Sequence, residues 1–334
     1  AGADPGPACY RRGETQPTVT DAQLTLGRLP PEHALGGLPR LDVQAARAAV
    51  ARVAEALGLS VDQAAWGILE VVESTMEQAI RVISVRRGVD PRGFTLLAFG
   101  GAGPLHGATL ARKLGMRGVL YPTHAGALSA LGLMGADLVL TYVRSVLVPW
   151  PQVQPQLLRQ VLEHFRAHAV HRLATAGAKG SALGLQAAAD IRYRGQGFEL
   201  TVPLPTAEPS SATMAALARE FHHAHEAFYG YSAPEEPLEL VNLRLTAVAP
   251  TDKPALPRVP PEGTLQSAAR QPRPVYVDPT NGWTSCPVFD RRLLPAGAHL
   301  PAPAVVEGED STCFIPPGVS ARVDALGNLS LEVS

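Results

Sequence analysis

Lysine is almost missing from this chain. Among 334 residues it occurs only as Lys113, Lys179 and Lys253, and arginine carries the rest of the positive charge. The formal net charge is −1, with acidic and basic residues mixed along the chain. Without a basic block, recognition of nucleic acid or of an anionic membrane by bulk charge is excluded. Cysteine is scarce too. Cys9, Cys286 and Cys313 are odd in number and far apart. That spacing excludes a disulfide framework and a CxxC metal site, and it points to a reducing, cytoplasmic compartment. A long uninterrupted apolar run is also lacking. The best stretch, "AGALSALGLMGADLVL", is broken by glycines and contains Asp137. It reads as a buried helix from Ala125 to about Leu140 rather than a membrane span. Finally, no Gly-Lys-Ser/Thr follows any glycine cluster, which excludes a P-loop.

What is present is the composition of a globular protein with a sizeable core, 46% hydrophobic and 18% charged. The first residues, "AGADPGPACYRRG", are dense in turn formers, as where backbone passes close to something else. Two amphipathic helices follow. Asp42 is placed to cap the first and Gly58 to stop it, and Ser60 is placed to cap the second. "FTLLAF" is an apolar run of strand length, succeeded by "GGAGPLHG", the helix "ATLARKLG" and the strand "GVLYP". A strand, glycine loop, helix and strand in that order are typical of α/β architecture. Beyond "VPWPQVQP" come a helix from about Gln156 to Ala176, the alternating "DIRYRGQGFELTVPLP", a helix begun by Ser210 or Ser211, and the strand "LELVNLRLTAVAP". A Pro-rich linker leads to a tail of short strands that suits a small barrel or sandwich. The expected organisation is therefore α/β over 1–148, α+β over 149–252, and β-rich over 253–334.

Chemistry is expected to gather at Gly100, Gly101, Ala102, Gly103 and Pro104. Glycines let backbone N–H groups approach a ligand, and Pro104 suits the first turn of a helix whose N-terminus carries unpaired donors. A tight turn without a ligand is the competing reading. His106, just inside that helix, can act as an acid–base group near neutral pH or sit bonded within the fold. Asp4 can orient a water or simply make a turn, and Asp21 can face the site or cap a helix. Cys9 reads as a small buried hydrophobe rather than a nucleophile. His124 stands at a strand end, as a site or capping residue. His222 and His225 share a helix face with Phe221, Phe228 and Tyr229, which reads as packing more readily than as a metal pair.

Eight segments occur in one order: "AGADPGPACY", "PTVTDAQLTLGRL", "FGGAGPLHG", "THAGALSALGL", "DIRYRGQGFELTVPLP", "FHHAHEAFYGY", "VNLRLTAV" and "PAVVEGEDSTCFIPPG". Together they resemble the A (β-type) subunit of the hydantoinase/5-oxoprolinase family. That family includes ATP-dependent N-methylhydantoinases, 5-oxoprolinase and the nucleotide-handling subunits of acetone-type carboxylases. The resemblance implies a C-terminal part of such a subunit, beginning after the N-terminal lobe of an actin-like (ASKHA) ATPase. Residues 1–148 would be the second half of the actin-like core. Gly100, Gly101, Ala102, Gly103 and Pro104 would form the adenosine-side loop, with Asp4, Asp21 and His106 as catalytic candidates. ATP and Mg²⁺ are the implied cofactors, with most phosphate and metal contacts in the N-terminal lobe. A B-type (α-type) subunit and a small cyclic amide are the implied partners. The implied reaction is phosphorylation of a lactam or imide carbonyl followed by ring opening. A carboxylase-type relative and a non-catalytic docking module are the alternatives.

Overall fold

The computed structural model describes Gly2 and residues 4–32, 40–177, 183–205 and 209–333. The chain enters through the turn-rich loop and a short helix α1 (Val19–Thr25), capped by Thr18 and Asp21 together. Helix α2 (Val43–Leu57) starts where the Asp42 carboxylate accepts from the Ala45 N–H at 2.8 Å, and it stops at Gly58 in the left-handed region. Helix α3 (Val61–Ile83) starts with Ser60 and Gln63 in a reciprocal capping box. All three starts use short polar side chains, so they are local decisions of the sequence.

A short strand β1 (Thr95–Leu97) leads through the glycine loop into helix α4 (Gly103–Leu114), which ends at Gly115 in the left-handed region. Strand β2 (Gly118–Tyr121) runs parallel to β1. Helix α5 (Leu128–Met134) is shorter than the sequence suggests and has no buried residue. The expected helix to Leu140 fails because the chain turns at 135–137. There Asp137 accepts from the Thr251 N–H at 3.1 Å, and the next residues extend into a strand.

A second unit follows, covering Leu133–Pro254. It contains β3 (Leu138–Pro149), α6 (Pro155–Thr175), β4 (Gly184–Tyr193), β5 (Leu200–Leu204), α7 (Ser211–Tyr229) and β6 (Leu238–Ala249). The strands form one antiparallel sheet in the order β3-β6-β4-β5. Its core joins Leu158, Leu162 and Phe165 of α6 and Leu217 and Phe221 of α7 to Ile191, Leu240 and Leu243 of the sheet. Each such fully buried side chain contributes about 1.5–3 kcal/mol.

The remaining residues return to the first unit, which is Ala1–Gly132 together with Ala255–Ser334. They form the one-turn α8 (Leu265–Ala268), β7 (Ala269–Tyr276), β8 (Trp283–Asp290), β9 (His299–Leu300), β10 (Ala304–Glu307), β11 (Thr312–Ile315), β12 (Val319–Val323) and β13 (Leu329–Val333). Here the structure differs from the expected division at 148 and 252. The tail makes no separate barrel or sandwich. Strands β13, β12 and β9 extend the β1-β2 sheet, while β11, β10, β8 and β7 form a second sheet. The physical reason is the β13–β2 ladder, which pairs Leu331 with Val119 and Leu329 with Tyr121. Strand β3, which falls inside the expected first segment, pairs along its length with β6 of the second unit. One core cluster then takes Leu114, Val119 and Tyr121 from before the second unit and Val306, Ile315, Leu329 and Leu331 from after it.

Candidate functional site

Strand β1 delivers the chain to the glycine loop, and Ala98 still donates its N–H to Leu120 across the sheet at 3.0 Å. Gly100 then takes φ +84°, a conformation that favours glycine. Its N–H donates to the Ala125 carbonyl at 2.6 Å. Gly101 and Ala102 are exposed, and helix α4 begins at Gly103 with Pro104 in its first turn. Ala102 stands at the N-cap position and brings no side-chain acceptor. The helix therefore begins without a side-chain capping bond from that residue. Pro104 has no N–H and Leu105 donates to the Ala102 carbonyl at 3.0 Å, so the backbone N–H groups leading into Gly103 are the ones suited to an anionic or polar ligand. A Cβ on Gly100 would meet nothing within 4 Å, and one on Gly101 would meet only the Asp310 carbonyl oxygen at 3.7 Å. The loop thus presents bare backbone.

Behind this open face the packing is close. A Cβ on Gly107 would lie 2.7 Å from the Tyr121 ring and 2.9 Å from the Ala98 Cβ, so α4 sits against β2 and the end of β1 with no room for a side chain. Two further loops meet the glycine loop. The turn at 124–127 supplies the Ala125 carbonyl, and the β10–β11 turn supplies Asp310, whose Oδ2 accepts from the Gly126 N–H at 2.9 Å. Clefts of about 590 and 680 Å³ elsewhere in this unit are lined by Arg117, Ser320 and Glu332, and by Arg81, Arg92, Arg112 and Lys113. None of these residues belongs to the three loops.

Of the carboxylates and the imidazole expected as catalytic groups, Asp21 and His106 are bonded within the fold. Asp21 is fully buried. Its Oδ1 accepts from the Cys9 N–H at 2.8 Å, and its Oδ2 accepts from Ala8 N–H, Thr18 N–H and Thr18 Oγ1 at 3.2, 2.9 and 2.8 Å. With four donors on one fully buried carboxylate, Asp21 clamps the turn-rich loop onto α1. His106 is 3% exposed and points inward rather than along the loop. Its Nδ1 lies 3.0 Å from Glu73 Oε1, and its Nε2 lies 3.4 Å from Gln23 Nε2. A carboxylate oxygen accepts, so the ring donates from Nδ1 to Glu73. It fastens the first turn of α4 to α3 and α1. Asp4 lies exposed in a turn. Cys9 is fully buried, and its thiol is pushed far up by burial and then by the neighbouring Asp21, which makes it unreactive.

His124 is exposed beside the 125–127 turn and offers it no side-chain cap. In the second unit, His225 lies between Gln196 Nε2 (3.1 Å) and the Tyr231 carbonyl (2.8 Å), and His222 Nδ1 lies 2.8 Å from Tyr193 Oη. Both histidines belong to an aromatic cluster with Phe221 and Tyr193, although Phe228 at the end of the expected stripe is exposed. Burial, then His225, lowers the pKa of His222. Among the described residues no group of three or more His, Cys, Asp or Glu is placed to hold a metal ion.

Three supporting residues escaped the sequence reading. Glu73 had a signal, because it continues the buried stripe Ala65–Leu69–Glu73 at helical spacing, where a charge is out of place. Arg28 had none. It is buried against the rings of Trp66 and Phe314, with its guanidinium carbon 5.2 and 4.3 Å from their centroids, and it donates to the Val277 carbonyl. Asp310 stands 184 positions from its partner Gly126, beyond any local pattern.

Known proteins match this arrangement over nearly its whole length. The family model described as hydantoinase/oxoprolinase matches residues 1–142, and that described as the hydantoinase/oxoprolinase C-terminal domain matches residues 152–332. An uncharacterized protein of Methanocaldococcus jannaschii is 37% identical over 338 residues, which are 99% of this chain and 47% of that protein. The caprolactamase subunit alpha of Pseudomonas jessenii is 36% identical over 333 residues, 97% of this chain and 47% of the relative. The crystal structure of ATP-dependent caprolactamase from that organism superposes with a TM-score of 0.78 at 34% identity, covering 99% of this chain and 49% of that one. The nucleotide-free structure of acetone carboxylase, from work on ATP-dependent acetone carboxylation, gives a TM-score of 0.75 at 27% identity over 98% of this chain and 48% of that one. The chain spans about half the length of the curated relatives it matches.

Proposed function

The chain belongs to the hydantoinase/oxoprolinase family, and from that membership we propose that it forms one wall of the nucleotide site in an ATP-dependent subunit that opens cyclic amides. The observation that carries the proposal is the bare backbone of residues 100–103 at the start of α4. Gly100 and Gly101 let a nucleotide approach the main chain, and the backbone N–H groups that lead into α4 at Gly103 supply donors at the positive end of the helix. Pro104 preorganises that turn. The Glu73–His106–Gln23 network holds α4 from beneath, so the donors are fixed before a ligand arrives.

ATP would supply a phosphoryl group that makes the oxygen of a resonance-stabilised amide carbonyl a leaving group, after which water opens the ring. Mg²⁺ belongs with the phosphates of such a nucleotide, and no described cluster of this chain is built to hold it. The actin-like core and the cytoplasmic setting belong to the same reading. The latter is supported by three unpaired, buried cysteines. No described helix is long and apolar enough to cross a membrane. A B-type subunit is the proposed partner, in keeping with relatives that are themselves named as subunits. Ketone carboxylation is the second reading, favoured by the likeness to acetone carboxylase and weakened by the lower identity of that match. Assaying the intact complex for ring opening and for bicarbonate-dependent carboxylation separates the two.

The test of the nucleotide wall is Gly101→Val in the intact subunit. Its Cβ makes only an ordinary contact at 3.7 Å, so the fold is expected to survive while the branched side chain blocks backbone approach. Titration calorimetry with ATP and Mg²⁺ should show affinity reduced by about a hundredfold or more. Unchanged affinity removes the loop from the site.

A further inference from the structure

We infer that Asp310 is a positioning residue for the glycine loop, acting through the single peptide unit that joins Ala125 to Gly126; this rests on the nucleotide reading above. The Gly126 N–H donates to Asp310 Oδ2 at 2.9 Å. The Ala125 carbonyl accepts from the Gly100 N–H at 2.6 Å. That N–H and that carbonyl are the two ends of one peptide group. A carboxylate thus holds one end of a peptide dipole, and the other end holds the glycine loop.

Three physical consequences follow. A hydrogen bond to an ionised acceptor is stronger than a neutral one. Bonds in series polarise one another, so the carboxylate strengthens the carbonyl as an acceptor for Gly100. The orientation of the 99–100 peptide, which leads into a residue with φ +84°, is then set from the far end of the chain. The approach is close as well as bonded. A Cβ on Gly126 would lie 2.5 Å from the Asp310 carbonyl oxygen and 2.8 Å from the Asp310 Cβ. Asp310 is itself oriented, because Ser311 Oγ donates to its Oδ1 at 3.0 Å and the Gly308 N–H closes the turn on the Ser311 carbonyl at 2.9 Å. Among the described residues no other side chain caps the helical run that begins at Ala125, since His124 offers no side-chain bond and α5 carries no acid in its first turn. Asp310 supplies that cap from another loop.

The test compares Asp310→Ala, Asp310→Asn and Gly126→Ala in the intact subunit by amide hydrogen exchange, ATP affinity and thermal melting. In Asp310→Ala, exchange at the Gly100 and Gly126 amides should accelerate about tenfold, ATP should bind about tenfold more weakly, and the melting curve should barely move. Asp310→Asn keeps an acceptor oxygen and should recover most of both losses. Gly126→Ala forces the loops apart and should reproduce the exchange signature without touching the carboxylate. A Gly100 amide that exchanges as before in Asp310→Ala overturns the inference, as does acceleration spread evenly over the whole unit. Faster exchange at Gly100 with unchanged ATP affinity leaves the tether standing and sinks the nucleotide reading instead.

Discussion

Residues 133–254 build their sheet from one continuous stretch of chain, whereas the other unit closes only when 255–334 return to pair with 1–132. The contrast extends to what each interior contains. Among the described residues, the buried acidic, basic and histidine side chains of the continuous unit are Asp190 and His225, while the other buries Asp21, Arg28, Glu73, His106, Asp290, Arg291 and Glu307. Buried polar groups need partners, and in this fold the partners come from far along the chain. Arg273, for example, pairs with Glu307, and Arg291 donates to the Tyr121 carbonyl at 2.7 Å. The candidate site lies in the unit that depends on such closures. Its loops are held by the same long-range contacts that hold the fold, which is why a residue in the β10–β11 turn can matter to the start of α4.

The sharpest way to break this comparison is Gly107→Val. The added side chain has the Tyr121 ring and hydroxyl and the Ala98 Cβ in its way, so the first unit should lose about 3 kcal/mol or more. Hydrogen exchange read separately for the two units should show that loss confined to 1–132 and 255–334. An equal loss in 133–254 would mean that the units do not unfold independently. A smaller effect is expected from Glu73→Ala, which strips a fully buried His106 Nδ1–H of its acceptor. About 2–3 kcal/mol should disappear from the first unit in a urea titration, and Glu73→Gln, which keeps an acceptor, should restore part of it. An Ala variant as stable as the original would show that the pair does not hold α4.

The smallest effect is a difference in acid response. Burial works to raise the Asp290 carboxyl, but bonds from Arg292 and Arg270 outweigh it and hold it at about 2. Its folded value lies below the usual carboxyl range near 4, so its stabilisation is present above about pH 4 and is lost as pH falls towards about 2. Asp190 is likewise held below its ordinary value, where bonds from Arg244, Thr201 and Asn242 overcome burial. Asp290→Asn should therefore flatten the acid loss of the first unit and leave that of the second. Identical pH slopes in variant and parent would place the acid sensitivity elsewhere.

How much of this was legible follows the same divide. Asp42, Ser60 and Ser210 cap the helices they were expected to cap, because a cap is a matter of three or four residues. The glycine loop stood out for the same reason, and the alternation of "DIRYRGQGFELTVPLP" was legible while leaving open a strand pair or one long bent strand. Strand pairing was not legible. Nothing in "LSLEV" says that it lies beside "GVLY", since alternation reports a buried face but no partner. The capping alternative for Asp21 was legible, because Thr18 and Asp21 stand three apart, whereas His106 was read by residue type, and type cannot distinguish a catalytic group from one bonded to neighbours brought from elsewhere. Asp310 was invisible because its acceptor role exists only after two loops have met.

The central claim is that bare backbone at residues 100–103 faces a nucleotide. Photolabelling of the intact subunit with an azido derivative of ATP, followed by peptide mapping, tests it most directly. Label in the peptides carrying Phe99–Gly103 or His124–Ala127, suppressed by excess ATP, is the expected result. Label suppressed by ATP but confined to other segments, the 133–254 unit above all, would contradict it.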